Sequence, residues 1–491
     1  MKRKNKFLAL AAVLVAISTA TALTSCSGNN QSSETKSSSA SSTSDSATDS
    51  AKQSSNAEST VKNSSSSAKL SESDIKVNET IENSSDGEHA ITVDGTQKSY
   101  SNVLVNKTGE ADGDEADFYG ENSAIFATNK GTADIKNIVV KTNGTHANAV
   151  FSYGEGTTVN ISDSYIETSG NCSGGLMTTG GGTMNADNLT IKTSGNSSAA
   201  IRSDRGGGTV KVNGGYYETS GVGSPVIYST ADITVNDADM VSTASQGVVV
   251  EGKNSVTLNN ANLTADNTKK NGSHSNYYQA VMIYQSMSGD AAQGLSSFSM
   301  NGGNLTNKNG DVFFITNTAT QINLTSANIT NEADGIFLRA AAAGWGSEGS
   351  NGGQVTLNAS KQTINGDMVV DSVSNLNLYL KDKSTYTGAI NSDGQQGEVY
   401  VEIESDSKWT LSGDSYITSL TCEADSINLN GHTLYVNGKK YTEGTQSKGT
   451  AIEVTVSSNN GGGPGEGGTP PEKPDGSGSD NKGTPPAKPE N

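Results

Sequence analysis

The sequence predicts an all-β fold: a single-stranded, right-handed parallel β-helix with three strands per coil and about 13 coils. Three observations carry this. A six-residue phrase recurs as VVKTNG at 139–144, YIETSG at 165–170, TIKTSG at 190–195 and YYETSG at 216–221. Each repeat holds three short apolar patches whose residues alternate with polar ones, the period of a strand and not of a helix. Gly-rich stretches such as GEGT, GGGT and RGGGT punctuate successive repeats. A β-sandwich would not keep so regular an interval.

The first patch of each coil is a V-x-V pattern, as in Val159-x-Ile161, Val210-x-Val212, Val256-x-Leu258 and Val355-x-Leu357. The second holds Val140, Ile166, Ile191, Tyr217, Met240, Leu263, Leu305 and Ile329. The third holds Ile125, Val150, Leu176, Ile201, Val226, Val248, Val281, Val312, Ile336 and Met368. Equivalent residues of adjacent coils stack about 4.8 Å apart, giving a rod of roughly 60 Å. Columns then carry meaning. Lys141, Glu167, Lys192 and Glu218 form an outward single file of alternating charge, expected to make ion pairs. Thr142, Thr168, Thr193 and Thr219 form an inward stack. Asn213, Asn236, Asn259, Asn301, Asn358 and Asn430 are expected as an amide ladder at the turn after the first strand. Such ladders let a chain with 32% hydrophobic residues fold.

The flanks read differently. Lys2, Arg3, Lys4 and Lys6 precede the apolar stretch Phe7 to Ile17, and Leu23-Thr24-Ser25-Cys26 follows. This predicts a signal peptide over 1–25 with a lipobox, Cys26 carrying the lipid that anchors the exported protein, outward-facing, to a cell membrane. Residues 26–73 are Ser-rich and read as a disordered tether with a reach of roughly 35–40 Å. The β-helix domain is expected over 74–458, and 459–491 as a Gly/Pro-rich disordered tail. The formal net charge of −19 becomes −23 without the four leader cations. Phosphate would be repelled, which excludes nucleic acid as a partner. Cys172 and Cys422, many repeats apart, are expected as free thiols.

Two adjoining columns of the third strand face outward in this reading. One runs Phe126, Phe151, Met177, Arg202, Ile227, Val249, Met282, Phe313, Phe337, Val369. The other runs Thr128, Tyr153, Thr179, Asp204, Ser229, Glu251, Tyr284, Ile315, Arg339, Asp371. So apolar a face is either covered by the long turns 266–279 and 341–354 or is a binding face. In the second case Phe126, Phe151, Tyr153, Tyr284, Phe313, Phe337, Arg339 and the loop residue Trp345 would meet a polysaccharide, a host glycan, or a host or cell-surface protein. Gly344, Gly346 and Gly349 spell a formal G-x-G-x-x-G, but no helix follows, so no nucleotide site is read.

Asp112, Asp114, Asp117 and Glu121 belong to an acidic run that either holds Ca²⁺ or is merely solvated. An enzyme reading is centred on Arg202, Asp204 and Arg205 with Glu251 and Lys253 two coils on, as the site of a Ca²⁺-dependent polysaccharide lyase. No second carboxylate flanks Asp204, and His89, His146, His274 and His432 fall on different coils, so no triad is indicated.

The segment SDRGGGTVKVNGGYYETSGVGSPVIYSTADITV, with VVVEGKNSVTL at 248–258, resembles the pectin-lyase-like β-helix lipoproteins and adhesin-like surface proteins of bacteria. A related group comprises carbohydrate-binding β-helix proteins, some of them pectin-binding. The likeness spans about residues 90 to 360. It implies a β-helix, a surface location and carbohydrate binding without catalysis, and it transfers no catalytic residues. A lyase, or a structural, self-associating spacer, are the alternatives.

Overall fold

The computed structural model describes residues 69–333, 335–394 and 396–456. The expected leader, Cys26, most of the tether and the tail lie outside these residues. Alternating apolar residues drive every coil to bury one face, and the coils do so by stacking into three long parallel sheets. The first sheet has thirteen strands, from Gln97–Ser101 to Ser419–Cys422. The second has ten, from Glu79–Asn83 to Asn328–Asn331, and the third eleven, from Ile91–Asp94 to Met368–Val370. In each, a strand pairs with its equivalent one coil before and one coil after. This is the parallel β-helix that the repeat predicts. Beyond the second sheet the four strands Thr363–Asn365, Thr385–Thr387, Lys408–Thr410 and Ile427–Asn428 form a sheet of their own. The far end closes with an antiparallel pair, Leu434–Val436 against Lys439–Lys440.

One continuous core runs along the rod, with Val159, Ile161, Ile166 and Leu176 as one coil's share. The repeated phrase is explained column by column. Its aliphatic residue is inward, as Ile166 on Ile191 shows. Its Thr is buried at 142, 168, 193 and 219. Thr168 and Thr193 donate to the carbonyls of Ser173 and Ser198 across the following turn. Its Gly lets backbones touch: a Cβ on Gly195 would sit 1.8 Å from the Gly170 carbonyl oxygen, and one on Gly221 equally close to that of Gly195. Ser173, Ser198 and Ser224, three residues after each Gly, donate to the glycine carbonyls one coil back.

The amide ladder forms as Asp187, Asn213, Asn236, Asn259 and Asn301, each Asn donating to the residue one coil earlier at 2.6–2.9 Å. Asn358 is not in it. Register places it beside Asn323, in a different outward column, to which it donates at 3.1 Å. Asn430 donates to the Leu411 carbonyl instead. A second ladder, from Asn328 through Asn304 and Asn262 to Asp239, runs along the second sheet. The charged file Lys141, Glu167, Lys192, Glu218 is in register. Among the described residues no ion pair joins two of its members. Lys141 pairs with Glu72 at 2.7 Å and Glu218 with Lys69 at 3.5 Å. Residues 69–73, expected in the tether, therefore lie against the rod as a strap. Cys422 is a buried free thiol. Cys172 is disulfide-bonded, a correction to the free thiol expected there.

The close approach at the glycines gives a direct test. Gly195→Ala forces backbone apart between two coils and should cost roughly 2–4 kcal/mol, measured by urea unfolding. Ser194→Ala, next to it, should be within about 0.5 kcal/mol of wild type.

Candidate functional site

The outer face of the third sheet is where the sequence places its candidate residues. Register fixes which side chains stand there. Ile201 pairs with Ile227, Val281 with Phe313, and Phe313 with Leu338. The outward column is therefore Phe126, Phe151, Met177, Arg202, Tyr228, Val249, Met282, Phe314, Arg339 and Val369. Phe313 and Phe337 are corrected to the interior. Phe313 lies 5.7 Å from Phe298 and 5.5 Å from Phe337, centroid to centroid, in an aromatic file inside the rod. Runs such as Val312-Phe-Phe-Ile315 are apolar at every position, so alternation could not tell in from out.

The remaining aromatic residues face outward but are covered. Phe126, Phe151 and Met177 pack as one patch with Tyr153. His89 stacks on Phe126 at 4.4 Å and Tyr119 meets Tyr153 edge-on at 5.7 Å. The helix Asp114–Phe118 lies just before Tyr119. Further along, Tyr228, Val249, Met282, Tyr284 and Phe314 pack with Trp345. Trp345 is 1% exposed, against Tyr284 and stacked on His274, both at 5.2 Å. Tyr277 lies on Phe314, and the Arg339 guanidinium lies 4.2 Å over Tyr277 while bonding Asp311 at 2.6 Å. The long turns 266–279 and 341–354 thus close over this face.

Between the two apolar patches sits a buried polar cluster. Arg202 donates to Asp204 at 2.8 Å, and Asp204 also accepts from the Arg205 backbone N–H. Arg205 reaches Asp290 at 2.9 Å and Asp114 at 3.3 Å, with its guanidinium 3.6 Å over Phe118. It ties the 285–294 turn and the short helix together over the sheet. Glu251 accepts from the hydroxyls of Tyr228 and Tyr284. Asp204 and Glu251 are fully buried, and burial pushes their carboxyls up to about 6 and about 7 respectively, the first against the opposing pull of Arg202. Lys253 is exposed on the neighbouring turn. Arg202, Asp204 and Arg205 lie together, with Glu251 two coils on. Covering by the turns 266–279 and 341–354 is one of the two alternatives the sequence offers for this face; it does not point to Tyr228 or Asp290.

The four acidic candidates do not converge. Asp117 and Asp112 lie 3.1 and 3.6 Å from His146, and Asp114 is taken by Arg205. Among the described residues no group of three or more His, Cys, Asp or Glu side chains is arranged to hold a metal ion.

The first sheet, in contrast, offers an open groove of about 380 Å³. Its polar lining is Ser99, Ser101, Asp134, Lys136, Asn160, Ser162 and Asp187, joined by Tyr100, Ile135 and Ile161. Gln97 and Asn160 both donate to Asp134 at 2.8 Å, and Asn185 donates to Asn160 at 2.9 Å. Those two amides hold the Asp134 carboxyl below the usual carboxylate range. The signal for this site is in the sequence, as polar residues at every outward position of four successive first strands.

No protein-family model matches the chain, no curated protein matches it, and no solved structure matches it.

Glu251 makes the covered face pH-sensitive. Its folded-state pKa lies above its ordinary 4.5, so its contribution to stability is complete below about pH 4.5 and is lost as pH rises through about 7. Glu251→Gln removes the titration and keeps an acceptor for the tyrosines. From about pH 5 to 8 the wild type should lose on the order of 2–3 kcal/mol more stability than the variant, read by urea unfolding at each pH. Parallel profiles would assign the effect elsewhere.

Proposed function

We propose that this protein is a non-catalytic binding rod for a polysaccharide or glycan, which lies along the exposed outer face of the first sheet. The open groove carries this reading. Hydroxyl, amide and carboxylate groups at fixed intervals are what a polymer of sugar hydroxyls can hydrogen-bond. The lining carboxylates and the net charge of −19 favour a neutral polymer over a polyuronate, whose own carboxylates would be repelled. The aromatic residues of the third sheet, by contrast, are spent on packing. Arg202 and Asp204, on which a lyase would depend, are paired with each other and buried. The basic, apolar leader over 1–25 and the Ser-rich stretch after it support an exported setting. The resemblance to pectin-lyase-like and adhesin-like surface proteins points the same way.

Affinity electrophoresis through gels containing neutral polysaccharides or polygalacturonate tests this. Neutral polymer should retard the wild type. Asp134→Ala with Asn160→Ala should weaken that retardation about tenfold while the far-UV circular dichroism of the rod is retained. Unaltered retardation of the double variant would remove the groove from the function. Release of unsaturated sugars from polygalacturonate with Ca²⁺ would establish the lyase instead.

A further inference from the structure

The charged file of the second sheet is absorbed neither by the groove nor by ion pairing within the file. It carries two copies of one arrangement, Tyr165 with Glu167 and Tyr216 with Glu218. In each, the two side chains lie two residues apart on the same side of the strand, and the phenol donates to the carboxylate at 3.1 Å. The two copies are two coils apart, about 10 Å. One copy holds an ammonium. Lys69 Nζ lies 3.7 Å from the Tyr216 ring centroid and 3.5 Å from Glu218 Oε2. Ring face and carboxylate are the two groups that attract a primary ammonium. At the other copy Lys192, on the intervening coil, stands off at 5.8 Å from the Tyr165 ring.

The segment that brings Lys69 there crosses the sheet face and makes one 3-10 turn at Glu72–Asp74. Glu72 meets Lys141 at 2.7 Å. Ile75 is buried against Val139 and Tyr165, with Leu104 beside them. That turn is organised by Ser71, whose N–H and hydroxyl both donate to Asp74 at 2.7 Å, and by the Asp74 and Ile75 N–H groups, which donate to the Ser71 and Glu72 carbonyls at 3.1 Å. Asn102 then secures the exit by donating to the Lys76 carbonyl and giving its own carbonyl to the Asn78 N–H. The strap thus presents a cation, an anion and an aliphatic residue. The sheet answers with a carboxylate and ring, a lysine, and an apolar seat.

We propose that this face is a docking site for a short peptide bearing an ammonium, a carboxylate and an aliphatic residue at the spacing of Lys69, Glu72 and Ile75, and that the chain's own residues 69–75 occupy it as an internal ligand. The strap's contacts are partly exposed ion pairs and one aliphatic seat, so a partner peptide of the same chemistry displaces it once its concentration exceeds the effective concentration of the tethered strap. The inference does not depend on the groove of the first sheet, which lies on another face.

The full chain serves as the test, in three forms: wild type, Lys69→Ala with Ile75→Ser to release the strap, and that variant with Glu218→Gln added. Lys69→Ala alone is a milder release should the double change disturb folding. The probe is a fluorescent synthetic peptide of residues 69–77, followed by anisotropy. The released forms should bind it at least about tenfold more tightly than wild type, and Glu218→Gln should cost about tenfold of that gain. Acetylating the peptide's Lys69 should cause the same loss, and raised salt should weaken binding. Equal binding by wild type and both released forms overturns the proposal, as does binding indifferent to Glu218→Gln. A deacetylated chitin oligomer that displaces the probe as well as unlabelled peptide does would move the site to amino sugars and overturn the peptide assignment.

Discussion

Every feature of this molecule depends on the in-register stacking of one coil on the next. Parallel strands hydrogen-bond to their equivalents, so a side chain's nearest neighbours are the same letters of the repeat before and after. That constraint makes small energies cumulative. One Asn-to-Asn hydrogen bond contributes about 1 kcal/mol. A file of them from Asp187 to Asn301 also locks register, since a one-residue slip would turn the whole core outward. The glycine of the repeated phrase is the steric side of the same constraint, because neighbouring turns approach too closely there for any Cβ.

Stacking also decides what each face is free to do. The third sheet bears the richest chemistry, but long turns from neighbouring coils close over it. Its aromatic residues become a second, external core, and its carboxylates become buried groups with raised pKa values. The cost of burying Asp204 is met by Arg202, and Arg205 spans from the sheet to two covering segments. Near the start of the first sheet the polar side chains line a groove that is open among the described residues. Over the second sheet lies the strap, held by charge and one aliphatic contact. Three faces of one repeat therefore differ by what folds over them.

The columns were legible in the residues alone. The inward Thr stack, most of the Asn ladder and the register of Lys141, Glu167, Lys192 and Glu218 follow from aligning the phrase. What alignment could not supply was the partner of those charges. Opposite signs about 4.8 Å apart suggest pairing within the file, but Lys69 and Glu72 arrive from a segment outside the repeat and take the two end charges.

By itself the sequence determined the fold, the approximate coil number and the stacking of the repeated phrase, because a repeat period translates directly into spatial register. The tertiary structure decided three other things. It set which residue of an all-apolar run such as Val312 to Ile315 points inward, placing Phe313 in the core and Phe314 under the lid. It set where turns of unique sequence come to rest. It also set which face stays open to a ligand. The reason is common to all three: these outcomes depend on contacts between non-repeating segments and the rod, and periodicity encodes only the contacts of the rod with itself.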